Sequence, residues 1–384
     1  MNHPTQIPVP VPLVDLSFQH AQISDEVHSG FERVMANGSF ILGPEVEKFE
    51  AAFAAYCGVE HVLGVGNGTD ALELVLRAAG IGAGDEVILP TNTFVATAEA
   101  VIRAGATVTL VDCDENFLID PLLVQSSMSN RTRAIVGVHL YGQMAPMERL
   151  RQFGGPDMFL VEDLAQAQGA RRFGARAGSV GDGGGTSFYP GKNLGAYGDG
   201  GAVLTRSEHI ADTVRALRNH GGTSRYEHRF AGVNSRLDGL QGVVLSAKLA
   251  RLDAWNQLRR DAAGYYDELL SGMPDVVIPR VADGNEHVYH LYVVRVPNRD
   301  EIVESLTQQG ISASVHYPVP LHLQPGFLEL GLTRGTFPMA ERLATEIMSL
   351  PIYPGITREQ QDRIVAALGE ALAAHGQPAM RAAG

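Results

Sequence analysis

Val62-Leu63-Gly64-Val65-Gly66-Asn67-Gly68-Thr69-Asp70-Ala71-Leu72-Glu73-Leu74-Val75-Leu76-Arg77-Ala78-Ala79 is the stretch that decides the fold class. Val62 to Val65 reads as a short apolar strand, and Ala71 to Ala79 as a helix. Between them lies a turn with two glycines. The same unit recurs along the chain. Pro44-Glu45 opens a helix with an apolar face of Val46, Phe49, Phe53 and Tyr56. Val87 to Leu89 is a strand with a helix from Phe94 to Ala104 behind it, and Val108 to Val111, Ala134 to His139 and Met158 to Val161 continue the series. Short apolar strands separated by helices predict an α/β architecture, with a mostly parallel sheet covered on both faces. In such sheets ligands gather at the carboxyl ends of the strands.

Beyond the last of these strands the pattern changes. Val180 to Leu204 contains nine glycines and reads as a strand, a tight loop and a returning strand. A long helical pattern from Asp238 to Leu270 leads out of the large unit. Strands near Tyr289–Val296 and Ala313–His316, with a final helix around Arg358–Ala374, fit a smaller α+β unit. The expected division is a large domain over 12–250 and a small C-terminal domain over 251–376. The segment from Gly376 onward reads as a frayed tail.

The 384 residues suffice for a large buried core and a second domain. Hydrophobic residues make up 45 % and charged residues 19 %, as in an ordinary water-soluble enzyme. A net charge of −13 argues against nucleic acid or an anionic membrane as partner. Cys57 and Cys113 lack metal-ligand spacing and read as buried apolar side chains. Met1 to Pro12 has no apolar core of a signal peptide, and no window approaches the ~18 apolar residues of a membrane span. The expectation is a cytoplasmic protein.

Three segments bear chemistry. Thr186-Ser187-Phe188-Tyr189-Pro190-Gly191-Lys192-Asn193-Leu194-Gly195 holds one of only three lysines, the others being Lys48 and Lys248. Those two sit in helical patterns and read as solvated. Lys192 lies in a glycine-bounded loop, and a desolvated lysine can lose its proton and act as a nucleophile. A surface turn with one lysine is the plain alternative. Gly66-Asn67-Gly68-Thr69 joins a strand to a helix, where amides at the helix N-terminus attract phosphate and Thr69 adds a hydroxyl. It is neither a Walker loop nor a dinucleotide fingerprint, and a simple N-capped helix would look the same. Asp163, in Val161-Glu162-Asp163-Leu164-Ala165-Gln166, ends an apolar strand, so its carboxylate would need a cationic partner there or would cap a helix. Phe94 could stack on a flat ring or serve as core. Together a phosphate cradle, an aromatic, a carboxylate and a serine–lysine loop at one sheet edge suit a phosphorylated pyridine aldehyde.

These residues resemble a known family: the nucleotide-sugar aminotransferases of the aspartate-aminotransferase fold, or fold-type I pyridoxal-phosphate enzymes. The resemblance runs from Val11 to Leu372. It rests on Ile41-Leu42-Gly43-Pro44, Gly66 to Leu72, Glu162-Asp163 with Gln166, Ser187 to Lys192, Asn234-Ser235-Arg236-Leu237-Asp238, and His316-Tyr317-Pro318. It implies that Lys192 holds pyridoxal 5′-phosphate as a Schiff base and moves protons, while Asp163 pairs with the pyridine nitrogen. By the same resemblance Phe94 stacks on the ring, and Gln166 lies near the other face or the phenolic oxygen. Gly68, Thr69 and Ser187 would hold the phosphate, completed by Asn234 from the neighbouring subunit of a homodimer with shared sites. Arg236, His316 and Tyr317 match positions that approach the sugar nucleotide, largely across the dimer interface.

The implied reaction is ping-pong transfer of an amino group from L-glutamate to a dTDP- or UDP-linked keto sugar. The Phe188-to-Gly195 and Val233-to-Asp238 runs look more like members acting at C3 of a 3-keto-6-deoxyhexose; a C4 enzyme is the alternative. One departure is Gly183-Gly184-Gly185, richer in glycine than the family pattern, which either loosens the strand or makes room for a ligand. A sugar dehydratase of this fold would carry histidine in place of Lys192. A non-catalytic sensor would have lost Lys192, Asp163 or the cradle. A plain nucleotide-binding protein would leave the Lys192 loop unexplained.

Overall fold

A computed structural model describes residues 9–224 and 226–375; the tail from Gly376 lies outside the described residues. Helices α1 (Ser17–Asn37) and α2 (Pro44–Cys57) come first. Strands β1 (His61–Val65), β2 (Glu86–Pro90), β3 (Thr107–Val111), β4 (Thr132–Val138) and β5 (Phe159–Asp163) alternate with α3 (Gly68–Ala78), α4 (Val95–Arg103), α5 (Pro121–Ser127) and α6 (Met147–Gly154). The short strands β6 (Arg171–Arg172) and β7 (Ala175–Arg176) precede β8 (Gly183–Ser187) and β9 (Gly201–Thr205), and α7 (Glu208–Leu217) follows.

Among the described residues the central sheet has seven strands, in the order β1-β9-β8-β5-β4-β2-β3. Every neighbouring pair from β8 to β3 is parallel, whereas β9 runs antiparallel to both β1 and β8. The α/β expectation therefore holds, and the glycine-rich run is the strand, loop and returning strand that its composition predicts. The glycines of β8 neither loosen the strand nor make room for a ligand. A Cβ on Gly183 would lie 2.5 Å from Val75 Cγ2, and one on Gly185 2.8 Å from Leu72 Cδ2. Helix α3 takes up that space, so glycine is what lets it lie directly on the strand.

A hairpin of β10 (Gly222–Ser224) and β11 (Glu227–His228) precedes α8 (Gly239–Leu249) and α9 (Leu252–Leu270). The helical pattern from Asp238 is thus two helices, not one. At the break the Arg251 guanidinium donates to the Ala247 carbonyl at 3.0 Å and pairs with Glu26, which satisfies the end of α8. Strand β12 (Asn285–Glu286) pairs with β6, and β13 (Tyr292–Arg295) with β14 (Ile347–Leu350). Helices α10 (Arg299–Gln308), α11 (Pro338–Glu346) and α12 (Arg358–His375) complete the order. The strand expected at Ala313–His316 reduces to one bridge, Ser314 to Ser349.

Apolar clusters line both faces of the central sheet. A separate cluster, including Tyr266, Ile302, Ile364 and Leu368, lies among α9, α10, α12, β13 and β14. Lys248 departs from its solvated reading. Helix α8 packs against α1 and α2, so Lys248 is buried, with Nζ 4.9 Å from the Tyr197 ring. Burial pulls its amine down to about 8.

Candidate active site

The parallel strands β2, β4, β5 and β8 end on one cavity of about 380 Å³. Nine of the residues singled out in the sequence line it: Gly68, Thr69, Phe94, Asp163, Gln166, Ser187, Lys192, His316 and Tyr317. Asn234 and Arg236 do not. Asn234 is exposed, and Arg236 donates to Asn219 Oδ1 at 3.2 Å.

At one end of the cavity, the N-terminus of α3 meets the end of β8. Asn67 caps the helix by accepting from the Asp70 amide at 2.8 Å. The capping interpretation and the anion-site interpretation of this turn are compatible, because the amides of Gly68 and Thr69 lie in the first helical turn, where no intrahelical carbonyl takes them, and both residues line the cavity. A Cβ on Gly68 would lie 2.6 Å from Ser187 Cβ, so only glycine lets the helix end sit beside that hydroxyl. From below, Ser235 Oγ accepts from the Gly66 amide at 2.9 Å and donates to Asp70 Oδ2 at 2.6 Å.

Asp163 closes β5. Thr97 donates to its Oδ2 at 2.8 Å and the Ala165 amide to its Oδ1 at 3.2 Å. Burial raises this carboxyl above its ordinary range, against the pull of Thr97, the Ala165 amide and Lys192. Its neighbour Glu162 behaves differently. Burial would raise it, but His139 Nε2 at 2.8 Å and the amides of Gly178, Val180 and Gly181 hold its carboxyl below the usual range. His139 Nδ1 accepts from the Ala145 amide at 3.1 Å, which leaves Nε2 to donate to Glu162.

Lys192 sits in a loop closed by several bonds. Its amide donates to the Tyr189 carbonyl at 2.8 Å, and a Cβ on Gly195 would come within 2.3 Å of the Pro190 carbonyl oxygen. Asn193 Nδ2 donates to Asn256 Oδ1 at 2.8 Å and to the Val288 carbonyl at 3.0 Å. Burial pulls the Lys192 amine down to about 8, with Asp163 opposing. His316, whose Nδ1 lies 2.8 Å from Ser349 Oγ, is pulled down to about 4 by burial and by Lys192.

Phe94 is half exposed over the cavity, its ring centroid 5.2 Å from that of Tyr317. Gln166 accepts from the Tyr141 amide at 2.7 Å and donates to the Tyr317 hydroxyl at 3.1 Å. Thr97, His139 and Tyr141 are the residues that sequence reasoning passed over. His139 was within reach, since it ends an apolar strand on the ligand side; Thr97 and Tyr141 carry no local signal. This cavity can bind an anion at one end, present a carboxylate deep inside and offer an amine that deprotonates near neutrality. Those are the needs of an enzyme that forms carbon–nitrogen bonds through a phosphorylated aldehyde.

Comparisons with known proteins agree. The DegT/DnrJ/EryC1/StrS aminotransferase family profile matches residues 21–369. The chain is 45 % identical to a protein of Geobacillus stearothermophilus named pleiotropic regulatory protein, over 94 % of this chain and 98 % of the relative. It is 44 % identical to the dTDP-3-amino-3,4,6-trideoxy-alpha-D-glucose transaminase of Streptomyces venezuelae, over 94 % and 96 % of the two chains. The crystal structure of S. venezuelae DesV in complex with a ketimine intermediate superposes with a TM-score of 0.92 at 44 % identity, covering 94 % and 98 %. The chain belongs to the DegT/DnrJ/EryC1/StrS aminotransferase family.

Proposed function

We propose that this enzyme transfers an amino group from L-glutamate to C3 of a dTDP- or UDP-linked keto sugar, with pyridoxal 5′-phosphate as cofactor. The observation that carries this reading is the placement of Lys192, Asp163, Ser187 and the α3 N-terminus around one cavity. The C3 position is favoured by likeness to a transaminase named for a 3-amino sugar. Likeness to a protein named as a regulator does not favour a sensor, because Lys192, Asp163 and the cradle are all present.

The residues fit the cofactor. The amides of Gly68 and Thr69 would hold its phosphate together with the Ser187 hydroxyl, which stands beside them because Gly68 has no Cβ to collide with Ser187. Asp163, buried and held by Thr97 and the Ala165 amide, would accept the pyridine N–H. Phe94 would cover the ring, and Gln166 would lie near its other face or its phenolic oxygen. When bound, pyridoxal 5′-phosphate supplies the electron sink. Lys192 would hold its aldehyde carbon, and an amine lowered to about 8 is suited to take and return the substrate proton. His316 and Tyr317 line the side where the sugar would enter.

The reading includes a homodimer with shared sites. Its support is that Asn234 and Arg236 lie off their own cavity, and that Phe40, Ile41 and Tyr189 are exposed. It also keeps the two-domain division at 12–250 and 251–376, supported by the separate second core. Among the described residues no helix is long and apolar enough to cross a membrane, and a cytoplasmic site of action is retained as part of the proposal.

The test is borohydride reduction of the purified protein with peptide mass spectrometry, followed by incubation with dTDP- and UDP-linked keto sugars and glutamate. A pyridoxyl tag on Lys192 and an amino group placed at C3 by NMR are expected. An untagged protein after incubation with pyridoxal 5′-phosphate would sink the reading.

A further inference from the structure

Behind Gln166 and Tyr317, which line the cavity, stands a residue that does not line it and has no place in the reading above. Tyr141 follows β4, is buried, and holds φ at +61°. A bulky residue in that region is strained and persists only where its surroundings demand it. Here both of its donors are committed to the site. Its amide donates to Gln166 Oε1 at 2.7 Å, and its phenol donates to the His316 carbonyl. Phe117 packs edge-on against its ring at 5.1 Å, which locks the side chain.

The consequence follows from donor and acceptor roles. Because Gln166 Oε1 takes the Tyr141 amide, the amide group of Gln166 cannot be flipped without setting two donors against each other. Gln166 Nε2 therefore faces Tyr317 and donates to its hydroxyl at 3.1 Å. A hydroxyl that accepts there must direct its own proton elsewhere. Tyr317 lines the cavity, its ring tilted against Phe94. Burial and the nearby Asp163 hold its phenol above the usual range, so it keeps that proton at neutral pH.

We propose that Tyr141 is a positioning residue: it fixes Gln166 and the His316–Tyr317 segment so that the Tyr317 hydroxyl donates to a ligand oxygen in the cavity. This rests on the aminotransferase reading. The acceptor is an oxygen of the keto sugar or the phenolic oxygen of the cofactor, which share one chemistry and are told apart by measurement.

The experiment compares wild type, Tyr141→Phe, Tyr317→Phe and the double variant. Readouts are KM and kcat for a dTDP-linked keto sugar, the dissociation constant of pyridoxal 5′-phosphate from the apoenzyme, and the visible spectrum of the loaded enzyme. Tyr141→Phe keeps the ring and the amide bond but frees the His316 carbonyl. A KM raised about tenfold in each single variant, with cofactor affinity and spectrum unchanged, identifies the sugar oxygen. A weakened cofactor and a shifted absorption maximum in both identify the cofactor oxygen. In either case the double variant should match Tyr317→Phe alone, because Tyr141 acts through Tyr317.

Single effects that multiply in the double variant overturn the proposal, as does a Tyr141→Phe enzyme equal to wild type in every readout. If Tyr141→Phe does not fold, Phe117→Leu removes the ring contact that locks Tyr141 without touching the cavity lining. Its effect on keto-sugar KM should vanish in the Tyr317→Phe background, and a persisting effect overturns the proposal. A wild-type enzyme tagged on Lys192 keeps failure here separate from failure of the aminotransferase reading.

Discussion

Thr97 donates its hydroxyl to Asp163 Oδ2 at 2.8 Å, joining the first turn of α4 to the end of β5. The same hydroxyl lies 2.8 Å from Thr93 Oγ1, which fixes its direction. The bond stabilises the charged form of a carboxyl that burial otherwise pushes up. Thr97→Val should therefore leave Asp163 harder to ionise and weaken pyridoxal 5′-phosphate binding about five- to tenfold. Titration of the apoenzyme by absorbance measures this; wild-type affinity would remove Thr97 from the support of the cofactor.

The Lys192 amine, at about 8, gains its neutral form as pH rises through that value. Attachment of pyridoxal 5′-phosphate to the apoenzyme should accelerate over that range. Asp163 holds the proton on the amine, so Asp163→Asn should move the midpoint downward. Stopped-flow absorbance across pH reads both effects, and an upward move would contradict the assigned coupling.

Gly68→Ala sets a Cβ 2.6 Å from Ser187 Cβ and 3.0 Å from Ser187 Cα. The neighbour includes backbone and cannot swing away, so the cradle must open. We expect at least tenfold weaker cofactor binding in a folded protein. Retained affinity alongside a normal circular dichroism spectrum would place the phosphate elsewhere.

Glu162 accepts from His139 and from three backbone amides. Glu162→Gln brings donors against donors and should cost about 3 kcal/mol in urea unfolding at neutral pH. The folded carboxyl is depressed, so its contribution is present above the ordinary glutamate pKa of about 4.3 and lost as pH falls through the lower folded value. The gap between wild type and variant should shrink on acidification. A gap independent of pH would mean the charge of Glu162 is not what stabilises the loop.

Asn234→Ala leaves its own cavity untouched, since Asn234 does not line it. If the site is shared, this variant should still lose cofactor. Mixing it with Lys192→Ala should restore one competent site per heterodimer. Unchanged cofactor retention and no complementation would count against a shared site.

Local pattern alone determined a good deal. Strand and helix periods gave the α/β class, because an apolar run between glycine turns has few other places to go. The scarcity of lysine singled out Lys192, and strand ends singled out Asp163 and the Gly66–Thr69 turn. Tertiary structure decided the rest. Lys248 looked solvated in its helix and is buried, because exposure depends on which helices α1 and α2 cover. Gly183 and Gly185 of β8 are ambiguous in sequence, since the close approach of α3 to them is a property of two segments. Thr97 and Tyr141 gave no signal, because a hydrogen bond to Asp163 or to the His316 carbonyl spans 66 and 175 residues of chain. Sequence records which groups are available; only the folded chain decides which of them meet.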